Sequence, residues 1–152
     1  MKMIKFKSIG HDPRAYFKDL VDRFASDEDI VAVYLFGSYA RGEVGPLSDV
    51  DIGVLLRHHV HSEHYFDKQL DLMEKAAHVL RTDEVDLVVL NQAPAPLAYR
   101  VIRERNVLFC RDERERILFE TKAIDRYFDE KPMRDLIYQA LIKRIEEGRF
   151  AS

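Results

Sequence analysis

The chain has 152 residues, of which 47% are hydrophobic and 34% are charged. This length and composition predict one compact domain with a real core and exclude extensive disorder. The net charge of −3, from 24 basic and 27 acidic residues, argues against a protein that coats nucleic acid, and no direct nucleic-acid binding is expected.

The hydrophobic pattern predicts helices that alternate with strands. Apolar residues at helical spacing indicate helices, and continuous apolar runs indicate strands that are covered on both faces. In chain order we predict a helix at about 13–26, a strand at 30–36, a short helical turn at 38–41, a strand at 49–56, a helix at 62–81, a strand at 85–90, a helix at 94–104, an edge strand at 107–110, and helices at about 113–129 and 132–147. This order favours an α/β or α+β fold, with helices packed on a small sheet.

Residues 1–110 are expected to form the core of the protein, and residues 111–152 a helical tail that packs on the core, on a partner or on both. The tail is expected to be a helical hairpin, because Lys131-Pro132 interrupts the helical pattern.

Two helices have an apolar stripe whose packing can be predicted. The helix at 62–81 is expected to bury one stripe, which consists of Phe66, Leu70, Met73, Ala77 and Leu80. The last helix is expected to pack its stripe on the chain's own core, with a partner-docking face as the alternative. That second stripe consists of Met133, Leu136, Ile137, Ala140, Leu141 and Ile145.

Asp49 and Asp51 open the second predicted strand. Side chains alternate along a strand, so both carboxylates point to one face, while the other face is uniformly apolar. Two neighbouring carboxylates repel each other, and a divalent cation such as Mg²⁺ removes that penalty. A turn followed by a solvated strand end is the simpler alternative.

Asp86 supplies a third carboxylate, within the apolar run 85–90. If this strand lies beside the strand of Asp49 and Asp51, the three acids can converge. Two metal ions about 3.5–4 Å apart could then hold the attacking and leaving oxygens of a phosphoryl-type displacement.

Gly37 and Ser38 end the first strand, and a loop marked by glycines and Pro46 follows. A turn of this kind can cradle phosphate oxygens with its N–H groups and the serine hydroxyl, although Gly37 could also be a helix-entry glycine. Arg41 could reach a phosphate or the acids, or could form only a surface ion pair.

Gly37-Ser38, ten intervening residues and Asp49-Val50-Asp51 form the pattern Gly-Ser-x10-Asp-x-Asp. With this pattern, residues 25–110 resemble the nucleotidyltransferase superfamily related to DNA polymerase β, and in particular its minimal nucleotidyltransferase (MNT) subgroup. Asp86 stands where the third acid is expected. The resemblance implies a small mixed sheet of the polymerase β type flanked by helices. It also implies that Gly37 and Ser38 hold the ATP phosphates and that Asp49, Asp51 and Asp86 hold two Mg²⁺ ions.

The resemblance also implies a partner and a reaction. MNT proteins are often encoded beside a helical HEPN ribonuclease, as antitoxin and toxin, and form hetero-oligomers with it. The antitoxin transfers AMP from ATP to a tyrosine of the toxin. Asp86 would favour deprotonation of that hydroxyl, which attacks the α-phosphorus while pyrophosphate leaves.

Two other functions stay open. The chain also resembles the catalytic half of aminoglycoside nucleotidyltransferases, although these usually carry a larger helical domain. An antitoxin that acts by binding alone is the second alternative. A template-directed polymerase is not favoured, because no basic DNA-binding module accompanies the core. Self-modification has three candidate acceptors, Tyr39, Tyr127 and Tyr138.

Cys110 is the single cysteine, which excludes an internal disulfide and favours a reducing, cytoplasmic location; we interpret it as a small hydrophobic residue. No run is apolar enough for a signal peptide or for the roughly 20 residues of a membrane span. The histidines between His58 and His64 are expected to lie in a solvated loop rather than in a metal site.

Overall fold

A four-stranded mixed sheet forms the centre of the computed structural model, which describes residues 10–148. The first nine residues of the predicted core and the last four of the predicted tail lie outside this range, as does most of the N-terminal segment examined for a signal peptide. Among the helices of residues 10–148, none combines the length and the apolar character needed to cross a bilayer.

The elements follow the predicted order. They are a 3₁₀ turn (Pro13–Tyr16), α1 (Phe17–Ala25), β1 (Ile30–Phe36), α2 (Ser38–Arg41), β2 (Val50–Leu56), a 3₁₀ turn (Ser62–His64), α3 (Tyr65–Leu80), β3 (Val85–Val89), a 3₁₀ turn (Leu90–Gln92), α4 (Ala95–Glu104), β4 (Val107–Cys110) and α5 (Glu113–Glu146). The four strands agree with the predicted strands to within one residue.

The sheet has the strand order β3-β2-β1-β4. β1 runs antiparallel to β2 and β4, whereas β2 and β3 are parallel. Every residue of β1 and β2 is buried, as expected for strands covered on both faces. One face packs against α1 and α3, and the other against α4 and the first part of α5. The predicted mixed sheet with flanking helices is therefore confirmed.

The predicted buried stripe of the third helix is wrong for Phe66 and Leu70, whereas Leu80 is buried and Met73 packs against the core. Phe66 is 66% exposed and Leu70 is 50% exposed, whereas Leu72 and Ala76 are fully buried. The helix carries apolar residues on two adjoining lines that share Leu80. Contact with the sheet selects the line that contains Leu72 and Ala76, a choice that helical spacing alone does not specify.

The predicted C-terminal hairpin is also wrong, because α5 is one helix of 34 residues with Pro132 in its interior. Proline removes the N–H that would bond the carbonyl of Phe128. Next to it, the Arg134 Nη2 donates to the carbonyl of Tyr127 at 2.9 Å. An ion pair between Lys131 and Asp135, at 2.7 Å, also bridges the proline. Both contacts span the proline, and the helix continues through it.

The last part of α5 extends beyond the core. The helix begins at Asp112, whose carboxylate accepts the Glu115 N–H, and it buries Ala123 against α4 and the sheet. The predicted stripe from Met133 to Ile145 lies mostly in solvent, with Ile137 62% exposed. The expectation that this stripe packs on the chain's own core is therefore wrong for the residues that the structure describes.

Candidate active site

The turn after β1 has a backbone that requires glycine. Gly37 has φ 73° and ψ −154°, and α2 begins at the next residue, Ser38. This conformation belongs to a region that only glycine adopts readily. The turn therefore has its shape because residue 37 lacks a side chain.

Gly37 also lies against a carboxylate of the neighbouring strand. A Cβ atom on Gly37 would overlap the Oδ2 of Asp51. Phe36 and Asp51 are paired residues of β1 and β2, which explains the approach. The predicted phosphate-binding turn and one of the predicted metal ligands are thus in direct contact.

Asp49 and Asp51 are the only charged side chains that the structure buries among residues 10–148, with 9% and 8% exposure. Asp49 immediately precedes β2, and Asp51 lies two residues further along the chain. In the preceding loop, the Ser48 hydroxyl accepts the Gly45 N–H at 2.9 Å. Burial of carboxylates is costly without compensation, and such sites are often functional.

Asp86 lies beside Asp51 because β2 and β3 are parallel neighbours in which these two residues pair. The three acids were expected to converge only if their two strands were adjacent, and the two strands are adjacent. Within residues 10–148, however, no group of three or more His, Cys, Asp or Glu side chains is arranged to hold a metal ion. The backbone brings Asp86 next to Asp51, and the mutual repulsion of carboxylates opposes a preformed cluster unless a cation lies between them.

The donor set nevertheless fits Mg²⁺. Asp49 and Asp51 offer hard carboxylate oxygens, and Mg²⁺ typically uses one or two carboxylates together with substrate phosphates. Because Gly37 has no side chain, Asp51 packs directly against the turn. Asp49, Asp51 and Asp86 are the residues that would hold the ion.

Arg41 is part of an ion-pair network. Its Nε donates to Glu43 at 2.9 Å and its Nη1 to Glu104 at 2.8 Å. The hydrogen bonds to Glu43 and Glu104 raise the pKa of the Arg41 guanidinium. Arg41 therefore lies at the edge of the turn and is hydrogen-bonded to the carboxylates of Glu43 and Glu104.

Glu104, the last residue of α4, was not among the predicted site residues. Its Oε2 accepts the Gly37 N–H at 2.7 Å. The two residues are 67 positions apart, and no short motif contains them both. The sequence predicts a helix at residues 94–104, but the helical pattern does not predict the contact between Glu104 and Gly37.

The histidines predicted to be solvated are exposed, and His58 contacts Glu115 at 3.2 Å. The candidate acceptor Tyr39 is buried, Tyr127 stacks on Tyr99, and Tyr138 is exposed. Cys110 is half-buried in β4.

A model of the family described as polymerase beta, nucleotidyltransferase matches residues 18–114 of the chain. The matched segment contains Gly37, Ser38 and the three aspartates. A comparison with curated proteins gave no significant match.

Solved toxin–antitoxin structures resemble the chain. A crystal structure of a toxin–antitoxin with AMP-PNP is 26% identical, has a TM-score of 0.67 and covers 84% of this chain and 97% of its own. A tri-AMPylated HEPN toxin in complex with an MNT antitoxin, from Shewanella oneidensis, gives 23% identity, a TM-score of 0.66 and coverage of 86% and 99%. A crystal structure of the toxin–antitoxin MntA-HepT is 24% identical, has a TM-score of 0.66 and covers 85% of this chain and 98% of its own. The fold is shared with all three.

Proposed function

The chain belongs to the polymerase β family of nucleotidyltransferases, and from this premise we propose that it is an Mg²⁺-dependent antitoxin that transfers AMP from ATP to a hydroxyl of a HEPN ribonuclease toxin. A tyrosine is the proposed acceptor. In this proposal antitoxin and toxin form a hetero-oligomer.

One observation carries the proposal: the side-chain-free turn at Gly37 is packed directly against the buried carboxylate of Asp51. A phosphate-binding turn beside metal-binding acids is what nucleotidyl transfer needs, because the triphosphate and the cation must meet. Asp86, paired with Asp51 across the two strands, adds a base within the same region.

The proposed roles follow from chemistry. The absence of a side chain at Gly37 lets the turn pack directly against Asp51, and the Ser38 hydroxyl donates to a phosphate oxygen. Arg41, which pairs with Glu43 and Glu104 at the edge of the turn, is proposed to contact a phosphate oxygen. When bound by Asp49, Asp51 and Asp86, Mg²⁺ would neutralise triphosphate charge and act as a Lewis acid at the α-phosphate.

In the reaction, the acceptor oxygen forms a bond to the α-phosphorus as the bond between that phosphorus and the α,β-bridging oxygen breaks. Pyrophosphate carries away the electron pair of the broken bond. The proton of the acceptor hydroxyl passes to the Asp86 carboxylate and from there to solvent. The products are the AMP ester of the acceptor and pyrophosphate.

The comparisons support the nucleotide and the partner. The relative that is 26% identical was crystallised as a toxin–antitoxin with AMP-PNP, an ATP analogue. The matching chain of the complex that contains the AMPylated HEPN toxin has the same fold as this chain. We extend both features to this chain as part of the proposal.

The test is a transfer assay with a HEPN protein encoded beside this chain, ATP and Mg²⁺, read by intact mass. We expect the toxin to gain the mass of one or more AMP groups. Asp49→Asn keeps the shape but removes a charge, and should slow transfer by about a hundredfold or more. Asp83→Asn, at an exposed position before β3, is the matched control and should behave as wild type. An unmodified toxin under conditions in which the complex forms would refute the enzymatic proposal.

Neutralisation by binding alone is the second candidate, and the exposed apolar stripe on the last part of α5 favours it. A variant with both Asp49→Asn and Asp51→Asn separates the two functions. Full protection of cells from the toxin by this variant would assign neutralisation to binding, whereas loss of protection with retained complex formation would assign it to transfer.

A further inference from the structure

We propose that Glu104 is a positioning residue for nucleotide binding: its carboxylate holds the Gly37 amide, and with it the phosphate-binding turn, against Asp51. This inference rests on the function proposed above. It concerns a residue outside the Gly-Ser and Asp-x-Asp motifs.

The first argument is the contact itself. Glu104 accepts the Gly37 N–H through Oε2 at 2.7 Å, and Arg41 through Oε1 at 2.8 Å. The side chain is only 10% exposed, so water competes little for these bonds. Hydrogen bonds to an ionised carboxylate are stronger than neutral ones, and losing one partner of such a bond in a buried place is costly.

The second argument is that Glu104 stands on a rigid support. Val101 is fully buried and Ile102 nearly so, and the helix ends at Arg105, whose φ is 55°. The carbonyl of the following residue, Asn106, accepts the Leu35 N–H of β1 at 2.9 Å. The end of α4 is thus fixed to β1 two residues before Gly37.

The third argument concerns charge. A carboxylate beside a triphosphate would repel it, but two arginines compensate this one. Arg41 bonds Glu104 directly, and the Nε of Arg100 lies 3.7 Å from the same Oε1. Glu104 can therefore hold the turn without leaving an uncompensated negative charge beside the phosphates.

Together these contacts place Gly37 between two carboxylates. Glu104 holds its N–H, and Asp51 occupies the space next to its Cα. Because Glu104 engages the Gly37 N–H and Asp51 fills the space that a Cβ would take, the contribution of residue 37 is to let the turn lie close to the acids. Glu104 thus fixes the separation between the Ser38 hydroxyl and the acids.

The experiment compares Glu104→Ala with Glu104→Gln. Glutamine keeps an oxygen acceptor for the Gly37 N–H, whereas alanine removes it. We expect Glu104→Ala to weaken the binding of ATP with Mg²⁺, measured by calorimetry, by about tenfold, and Glu104→Gln to stay within about threefold of wild type. In the transfer assay the KM for ATP should rise by the same factor, with a smaller change in kcat.

Two controls separate this role from a general loss of structure. Glu43→Ala removes the other carboxylate of Arg41 without touching Gly37, and should bind ATP as wild type does. The Gly37 amide proton, followed by NMR in the free protein, should move upfield in Glu104→Ala and much less in Glu104→Gln. Circular dichroism confirms that both variants are folded.

The possible failures are distinct. Wild-type affinity for ATP in a folded Glu104→Ala variant would overturn the positioning role and leave the proposed function intact. An equal loss in Glu104→Gln and Glu104→Ala would overturn the acceptor role, because charge alone would then account for the effect. A wild-type protein that binds no ATP would overturn the proposed function, and the positioning role with it.

Discussion

At the residue scale, Gly37 is the position with the least freedom to change. Its φ of 73° and ψ of −154° suit glycine alone, and a Cβ there would overlap the carboxylate of Asp51. Gly42 provides a matched comparison, because its φ is 70° but a Cβ there would meet nothing within 4 Å. The two residues also differ in ψ, which is −154° at Gly37 and 20° at Gly42, so a side chain at Gly37 meets both a less accessible backbone conformation and a close contact.

We expect Gly37→Ala to lower the free energy of unfolding by about 2–4 kcal/mol, and Gly42→Ala by about 1 kcal/mol. The first variant should also lose ATP binding, since the turn can no longer pack against Asp51. Urea unfolding and calorimetry measure the two effects. Equal losses of stability in both variants would contradict the extra cost expected at Gly37.

Sequence-based prediction of the site relies on signals that are local in the chain, and the roles assigned to these residues stay predictions. Gly37, Ser38, Asp49 and Asp51 were singled out because residue type and spacing sufficed, and the structure brings Gly37 and Asp51 into contact. Glu104 was missed because its role depends on where α4 ends in space. A lone glutamate at the end of a helix has no distinguishing sequence context.

At the scale of elements, a polar network joins β1 to α5. The Tyr34 hydroxyl donates to Glu120 Oε1 at 2.8 Å, and Arg116 donates to the same oxygen at 2.9 Å. Burial, together with the hydrogen bond to Glu120, raises the pKa of Tyr34 above its ordinary value of 10.0. The first half of α5 is thereby held to the sheet by a buried hydroxyl as well as by apolar contact.

This network predicts a pH dependence. Tyr34 ionises near pH 10 in the unfolded chain but stays neutral to higher pH in the folded chain, so its contribution to stability is present below about pH 10 and lost as pH rises above it. The loss approaches about 1.4 kcal/mol per pH unit. Urea unfolding from pH 8 to 11.5 should show a shallower decline for Tyr34→Phe than for wild type. Tyr138→Phe, at an exposed position, should follow wild type, and identical curves for all three would contradict the assignment.

Pro132 provides a second prediction for this scale. Proline in a helix interior usually costs about 3 kcal/mol. We propose that the Arg134 guanidinium compensates part of this cost by bonding the carbonyl of Tyr127, the residue before Phe128. We expect Pro132→Ala to increase the hydrogen-exchange protection of amides 133–145. Arg134→Ala should decrease it, and by less when Pro132 is already alanine. Additive effects in the double variant would exclude the proposed compensation.

The helices show where local patterns mislead. The predicted break at Lys131-Pro132 followed the usual behaviour of proline, but Arg134 supplies a donor that the rule does not consider. The buried line of α3 was misassigned because two adjoining apolar lines compete, and only contact with the sheet decides between them. The strands were predicted closely, since continuous apolar runs admit few alternatives in a sheet covered on both faces.

At the scale of the whole molecule, α5 extends the protein beyond its core. Ile137 and its apolar neighbours on that segment are exposed, while Gln139 lies on another side of the same helix turns. An apolar stripe of this kind on the surface of a protein commonly marks a contact with another molecule.

Ile137→Lys tests this surface. Because the side chain is largely exposed, we expect the free energy of unfolding to stay within about 0.5 kcal/mol of wild type. Association with the proposed HEPN toxin should weaken by about tenfold or more, measured by calorimetry or light scattering. Gln139→Lys adds the same charge beside the stripe and should leave association unchanged. Equal affinity of both variants for the toxin would exclude the stripe from the interface.

Residue type and spacing along short stretches predict the alternation of helices and strands, the bounds of the four strands and the motif residues from Gly37 to Asp51. Four other features arise from contacts between distant segments: the pairing of Asp51 with Asp86, the contact of Glu104 with Gly37, the uninterrupted path of α5 and the exposure of its last stripe. Each of these depends on which surfaces meet after folding. The free energies of such long-range contacts depend on at least two segments and cannot be derived from one segment alone.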